Sequence, residues 1–166
     1  MPRPELSRVP VFYHKYIEQV EGEDLNEILN KQSITFTSFL NELPEDKRDY
    51  RYGPDKWTIR EVLQHIMDAE RVFAYRALCI ARGEQQSLPG FDENQYADNA
   101  LCANRKWTDM TDEFRAIRRS TELLFASFNT TQLEATGTAN NWPVYVLGIG
   151  YMTAGHAQHH LNIIRD

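Results

Sequence analysis

Cysteine is scarce in this chain, which has only Cys79 and Cys102 among its 166 residues and no CxxC pair. Two isolated thiols exclude both a disulfide framework and a cysteine-based zinc motif, and they are typical of proteins from a reducing compartment. A chain of this length buries enough apolar surface to fold without cross-links. We therefore expect a cytoplasmic protein with one domain over residues 1–166, of which 1–22 form an N-terminal extension.

Long apolar runs and basic clusters are also missing. No stretch approaches the roughly 18 apolar residues of a membrane span. The first residues, MPRPELSRVPVFYHKYI, lack the apolar region and the small-residue cleavage site of a secretory signal. The chain carries 24 acidic and 18 basic residues, a formal net charge of −6, and this average field repels a nucleic-acid backbone. These absences argue against membrane and nucleic-acid partners.

Helical periodicity, in contrast, is abundant. Apolar residues recur at steps of three and four in four segments, which predict long helices over 23–43, 58–83, 108–128 and 144–164. A short N-terminal helix is expected near 12–20. No segment shows the convincing alternation of a β-strand. The predicted fold is therefore all-α, a four-helix bundle with a short N-terminal helix.

Local signals add detail to this bundle. Thr58 and Glu61 have the spacing of a capping box at the start of the second helix, and Pro143 is suited to the first turn of the last one. On the third helix Arg118, like two neighbouring arginines, is assigned to the outward, solvated face. Residues 84–107 are expected to form a crossover loop with about two turns of helix, and a loop of this length often has a functional role.

The last predicted helix combines glycines with histidines. Gly148, Gly150 and Gly155 each cost about 1 kcal/mol relative to alanine, so we expect a close backbone approach or room for a ligand there. His156 and His160 both occupy inward-facing positions. Two imidazoles four residues apart share one helix face, where their nitrogens can converge on a single ion.

A third ligand would have to come from a facing helix, and His65 is the other histidine on an apolar stripe. Three neutral imidazoles suit zinc, nickel, iron or copper, and a three-ligand site leaves positions open for water and substrate. Both signals also have a plain structural explanation. A lone core histidine is more often hydrogen-bonded than metal-bound, and HxxxH pairs arise by chance. The combination of the two favours a metal site.

Two further residues near these histidines have candidate roles. His159 lies on the neighbouring helix face and is interpreted as partly exposed or as supporting the ligands. Asp68, three residues after His65, could orient that imidazole or accept a proton, and the alternative is a solvated surface carboxylate. No residue is assigned as the catalytic base, since the HExxH pattern of metalloproteases is absent.

Three stretches of the sequence resemble the DinB-like superfamily, which includes YfiT-type metal-dependent hydrolases and the bacillithiol and mycothiol S-transferases. They are YRYGPDKWTIREVLQHIMDAERVFAYRALCIARGE, LPGFDENQY and GHAQHHLNIIRD, and the likeness extends over about residues 23–166. It implies a bundle in up-down-down-up order, a homodimer, and a divalent metal bound by three histidines. By motif these ligands correspond to His65, His156 and His160. We expect the metal to be zinc or nickel, with iron as a further candidate.

Three functions are compatible with such a site. The leading hypothesis is hydrolysis of a small-molecule substrate by a metal-activated water. The second is S-transfer, in which the metal lowers the pKa of a low-molecular-weight thiol and makes it a thiolate nucleophile. Because the chain is poor in cysteine, that thiol would come from outside. The third is a non-enzymatic stress-response binding module that the metal stabilises.

Overall fold

Four long helices make up about half of the structure, a computed structural model that describes residues 1–165. Asp166, the end of the predicted domain, lies outside the described residues. In chain order the helices are α1 (His14–Ile17), α2 (Leu25–Glu42), α3 (Ile59–Ala81), α4 (Glu93–Ala100), α5 (Trp107–Ala126), α6 (Thr130–Glu134) and α7 (Val146–Arg165). Two short strands, β1 (Thr136–Ala139) and β2 (Trp142–Tyr145), precede α7. The all-α bundle predicted from periodicity is confirmed.

Contacts between the long helices establish their directions. The indole N–H of Trp107, at the start of α5, donates to the carbonyl of Leu40 near the end of α2. Further along α5, Arg118 reaches Gln32 in the middle of α2, so the two helices run antiparallel. Gln32 also donates to the carbonyl of Ala154 in α7.

The directions of α7 and α3 complete the topology of the bundle. Gly150 in α7 lies against Leu25 at the start of α2, and Ala154 follows along Gln32, so these helices run parallel. Hydrogen bonds from Arg105 and Arg118 reach successively later residues of α3, so α3 runs in the same direction as α5. Residues 82–106 therefore travel the length of the bundle between these two helices. The result is the up-down-down-up order that the family resemblance implies.

A β-hairpin interrupts the predicted all-helical pattern. Asn140 and Asn141 adopt φ values of +50° and +62°, the left-handed region that asparagine tolerates and that a two-residue type I′ hairpin turn needs. Pro143 consequently lies in β2 opposite Thr138, and α7 begins only at Val146. The expectations of no strand and of an early helical position for Pro143 were wrong, because this turn chemistry overrides the helical periodicity that follows it.

The outward position predicted for Arg118 is also wrong. Its side chain is fully buried, and its guanidinium donates to both oxygens of Glu70 in α3 at 2.8 to 3.2 Å and to Gln32 Oε1 at 2.9 Å. Arginine is assigned to the surface by its charge alone, whereas here a carboxylate from another helix compensates that charge inside the bundle.

Other local predictions are confirmed. Thr58 and Glu61 form the capping box that starts α3. The crossover contains the two-turn helix α4, and the expected N-terminal helix is the single turn α1. A Cβ at Gly155 would lie 2.5 Å from the carbonyl oxygen of Tyr16, so this glycine lets α1 pack directly on the backbone of α7. Within residues 1–165, none of the helices combines the length and apolarity that crossing a bilayer requires.

Candidate metal centre

Three imidazoles from two antiparallel helices converge inside the bundle. His65 comes from the second turn of α3, and His156 and His160 come from successive turns of α7. One ring nitrogen of each lies within 4.8 Å of the others, and the Nε2 atoms of His65 and His156 are 2.9 Å apart. The structure therefore brings together the three histidines selected from the sequence, which we call the triad.

Local structure on both helices holds the triad in place. The Thr58 capping box defines the first turn of α3 and so directs His65 onto its buried face, where the side chain is 4% exposed. On α7 the spacing of four residues aligns the other two rings. The close contact at Gly155 brings α1 beside them, and the Tyr16 ring lies 6.1 Å from that of His156.

Burial keeps the triad uncharged. It lowers the pKa of His65 to about 4 and, with added repulsion from His65 and His159, that of His160 to about 3. Burial and the neighbouring imidazoles hold the pKa of His156 well below its usual range. At neutral pH each ring thus keeps a lone pair, which is the form that binds a metal. Three neutral nitrogen donors at this separation fit a divalent transition metal.

Aromatic rings pack against the triad. The Trp57 ring lies 4.8 Å from that of His65, and the Phe73 ring lies 5.7 Å from that of His156. A hydrophobic shell of this kind strengthens electrostatic interactions inside a metal site.

His159 lies beside the triad and outside it. The residue is partly exposed, its Nδ1 accepts from Gln19 Nε2 at 3.3 Å, and its ring packs 4.7 Å from that of Tyr16. The His160 ring is 5.2 Å away, so His159 borders a triad residue. Its predicted role in supporting the ligands remains a prediction.

Asp68 points to a different part of the surface. Its Oδ1 accepts from Gln64 Nε2 at 2.9 Å, and it lies in a depression with Gln64 and Arg105. Burial raises the pKa of this carboxyl group. In the described part of the chain its one hydrogen-bond partner is Gln64, so no contact with His65 supports either role suggested for it.

Among residues 1–165, Glu93 is the carboxylate closest to the triad, and its role is not predicted from the sequence. It is the first residue of α4, whose start is capped by the Asp92 side chain, and its Oε2 lies 3.9 Å from His65 Nε2. Its only signal in the sequence is the acidic and aromatic stretch FDENQY within the crossover. Periodicity does not show where such a stretch docks.

A cavity of about 240 Å³ opens onto the triad. His65 and His156 form part of its wall, together with Glu93 and Arg76, and most of the other wall residues are aromatic or aliphatic. The aromatic wall residues are Phe12, Tyr13, Tyr16, Phe73, Phe91 and Trp142. We call this space the site cavity. Its few polar groups among apolar walls are typical of a small-molecule site.

Comparisons with known proteins agree with this architecture. The fold is similar to that of YfiT from Bacillus subtilis, which is described as a probable metal-dependent hydrolase with an unusual four-helix bundle topology. The TM-score is 0.72 at 14% sequence identity, covering 99% of this chain and 89% of that one. At this identity the likeness shows the fold alone.

Sequence comparison reaches the family level. A protein of Oceanobacillus iheyensis named "Putative metal-dependent hydrolase OB0413" is 30% identical over 94 residues. This match spans about half of each protein, 54% of this chain and 54% of that relative. The family model described as the DinB superfamily matches residues 28–164, which include all four long helices except the first turn of α2 and the final residue of α7. On the strength of that match the chain belongs to the DinB superfamily.

Proposed function

We propose that this protein is a metal-dependent hydrolase of a small molecule and that the triad holds its metal. The observation that carries the proposal is the convergence of three neutral imidazoles at the wall of an open cavity with a carboxylate beside them. A structural metal site is normally closed by four protein ligands, whereas three ligands leave room for water and substrate. The geometry therefore favours catalysis over a purely structural role.

The donor set favours zinc or nickel, and iron is compatible with it. When bound, such an ion supplies Lewis acidity and lowers the pKa of a coordinated water toward neutrality. The triad residues bind as neutral ligands, since burial keeps them unprotonated at pH 7.

Glu93 is the proposed proton acceptor. Its Oε2 is 3.9 Å from His65 Nε2, so the carboxylate and the triad are within reach of one shared water molecule. A carboxylate so placed can take a proton from the attacking water and return it to the leaving group. Because α4 belongs to the crossover, the base comes from an element other than the two helices that supply the ligands.

Metal binding is tested first. We expect plasma mass spectrometry of the purified protein to find about one transition-metal ion per chain, with loss of the metal in His156→Ala. The matched control is His159→Ala, which removes a neighbouring imidazole outside the triad and should leave the metal content unchanged. Absence of metal in the parent, or equal loss in both variants, would contradict the assignment.

Hydrolysis is tested with metal-loaded protein and a panel of small p-nitrophenyl esters and phosphate esters. Glu93→Gln should lower kcat by roughly 10²–10⁴-fold without loss of metal, as expected for removal of a general base. Asp68→Asn removes a carboxylate that does not contact the triad and should retain activity. If no ester is hydrolysed but monochlorobimane is conjugated to an added thiol in a metal-dependent reaction, the protein is a thiol transferase instead.

A further inference from the structure

Arg76 is a buried arginine without a carboxylate partner. Three arginines are buried in the described part of the chain, and two of them form ion pairs, Arg60 with Asp49 and Arg118 with Glu70. Arg76 is 6% exposed, and no carboxylate of residues 1–165 lies within ion-pairing distance of it. Burying a charge without a counter-charge is costly. The unpaired guanidinium of Arg76 lies at a wall of the site cavity.

The neighbours of Arg76 leave its charge uncompensated. Its Nη2 donates to the carbonyl of Pro89 at 2.8 Å, and its Cζ lies 6.0 Å from the rings of both Phe73 and Phe91. The hydroxyl of Tyr13 also lies beside the guanidinium, but burial raises the pKa of this phenol, so it is neutral at pH 7. The Pro89 carbonyl and this hydroxyl leave most of the five N–H donors of the guanidinium free within residues 1–165. A guanidinium with free donors matches a carboxylate or phosphate.

Arg76 and the triad line the same cavity, and one aromatic ring lies near both. The Phe73 ring is 6.0 Å from Arg76 Cζ and 5.7 Å from the His156 ring. Along α3, Arg76 follows His65 by 11 positions, which places both on one helix face about 16 Å apart along the axis. Because side chains on a helix lean toward its N-terminus, the guanidinium extends back toward the triad.

We propose that the site cavity selects a small organic anion, whose carboxylate or phosphate pairs with Arg76 while its reacting bond lies at the triad. This assignment rests on the proposed function, because it names the substrate class of the same site. The cavity volume of about 240 Å³ is below the roughly 300–1,000 Å³ of sites for drug-sized ligands, so the anion is small. An apolar cavity of about 150 Å³ already holds benzene, so one aromatic ring with an anionic group fits.

Binding of non-hydrolysable probes tests the inference without turnover. Isothermal titration calorimetry would compare benzoate and phenylphosphonate with the neutral benzamide, using the full chain both metal-loaded and metal-free. We expect both anions to bind more tightly than benzamide. In Arg76→Met the anion affinity should fall about tenfold or more, as for loss of a charge-assisted hydrogen bond, and benzamide affinity should be unchanged. The two anions separate a carboxylate preference from a phosphate preference.

Arg82→Met is the matched control, since it removes one exposed charge near the end of the same helix. It should retain the parent's anion affinity. Arg76→Lys keeps the charge, loses the planar fork and should give an intermediate affinity, which covers the case in which the methionine variant does not fold.

Equal anion binding by the parent and Arg76→Met would overturn the inference, as would benzamide binding as tightly as benzoate. Anion binding that disappears on metal removal but is insensitive to Arg76 also overturns it, because the ion alone would then hold the anion. Arg76-dependent anion binding to a protein that holds no metal and hydrolyses nothing would sustain the anion site and refute the proposed hydrolysis. Metal-dependent hydrolysis that does not depend on Arg76 would sustain the proposed hydrolysis and refute the anion site.

Discussion

Replacing Arg118 by methionine should destabilise the bundle far more than the same change at Arg115, one turn earlier on α5. Arg118 is fully buried and donates three hydrogen bonds to Glu70 and one to Gln32, whereas the Arg115 side chain is 59% exposed and forms an ion pair with the exposed Asp112. Exposed pairs contribute little to stability because water screens them. Arg118→Met leaves the 2% exposed Glu70 as a buried charge without a partner.

The expected loss follows from that unpaired carboxylate. Removing one partner of a buried ion pair costs about 3–5 kcal/mol. In a domain of this size, 1 kcal/mol corresponds to a shift of about 2–4 °C in Tm, so Tm should fall by about 6–20 °C. Urea unfolding followed by tryptophan fluorescence and calorimetry would measure the loss. Arg115→Met, which breaks an exposed pair, should unfold near the parent's midpoint.

A double variant identifies the cause of this loss. Arg118→Met combined with Glu70→Leu removes both charges and fills the space with apolar groups, so most of the lost stability should return. A single variant within about 1 kcal/mol of the parent would refute the claim that Glu70 needs its partner. A double variant less stable than Arg118→Met would show that lost packing, and not an unpaired charge, causes the effect.

Two more perturbations test the surroundings of the triad. In metal-free protein the folded-state pKa values of His65 and His160, about 4 and about 3, lie below the unfolded value of 6.5. The unfolded chain therefore binds more protons than the folded one as the pH falls below 6.5. The free energy of unfolding should decrease by about 2 kcal/mol for each of these histidines between pH 7 and pH 5. Equal urea midpoints at pH 7 and pH 5, measured with a chelator present, would contradict this loss of stability. Gly155→Ala should cost about 1–3 kcal/mol, since its Cβ would meet the Tyr16 carbonyl at 2.5 Å, whereas Gly53→Ala in a surface loop should be nearly neutral. Thermal unfolding of the two variants measures that difference, and similar melting temperatures would argue against a tight contact at position 155.

The long helices and the triad histidines could be selected from the sequence because their signals are local. The capping box at Thr58 involves only the first turn of α3, and the pairing of His156 with His160 depends only on helical spacing. His65 needed one more step, its position on an apolar stripe. Each of these patterns lies within one helix, so it can be recognised without knowledge of the tertiary structure.

Arg118, Glu93 and Arg76 could not be placed in this way. The side chain of each is polar, and periodicity assigns polar residues to solvent unless a partner is known. The partner of Arg118 is 48 positions away in another helix. Glu93 reaches the triad only because the crossover docks on α3, and Arg76 has no carboxylate partner within residues 1–165 to reveal its burial. The hairpin is a different case, since the consecutive asparagines at 140 and 141 do favour a tight turn. Its strands of four residues are too short to show a clear alternation.

The up-down-down-up order explains why the site combines groups that a simpler bundle would not. Two facing antiparallel helices such as α3 and α7 can supply such a triad whatever the order of the other helices. Here α5 runs parallel to α3, so the chain must return along the whole bundle before α5 begins. That return carries α4 and Glu93 over the triad, and it brings Leu88 into hydrogen bonds with Thr138 and Asn140 of the hairpin. Crossover and hairpin together build the outer walls of the site cavity. A bundle of the same helices joined by short loops would keep the triad and lose both the carboxylate beside it and the enclosure around it.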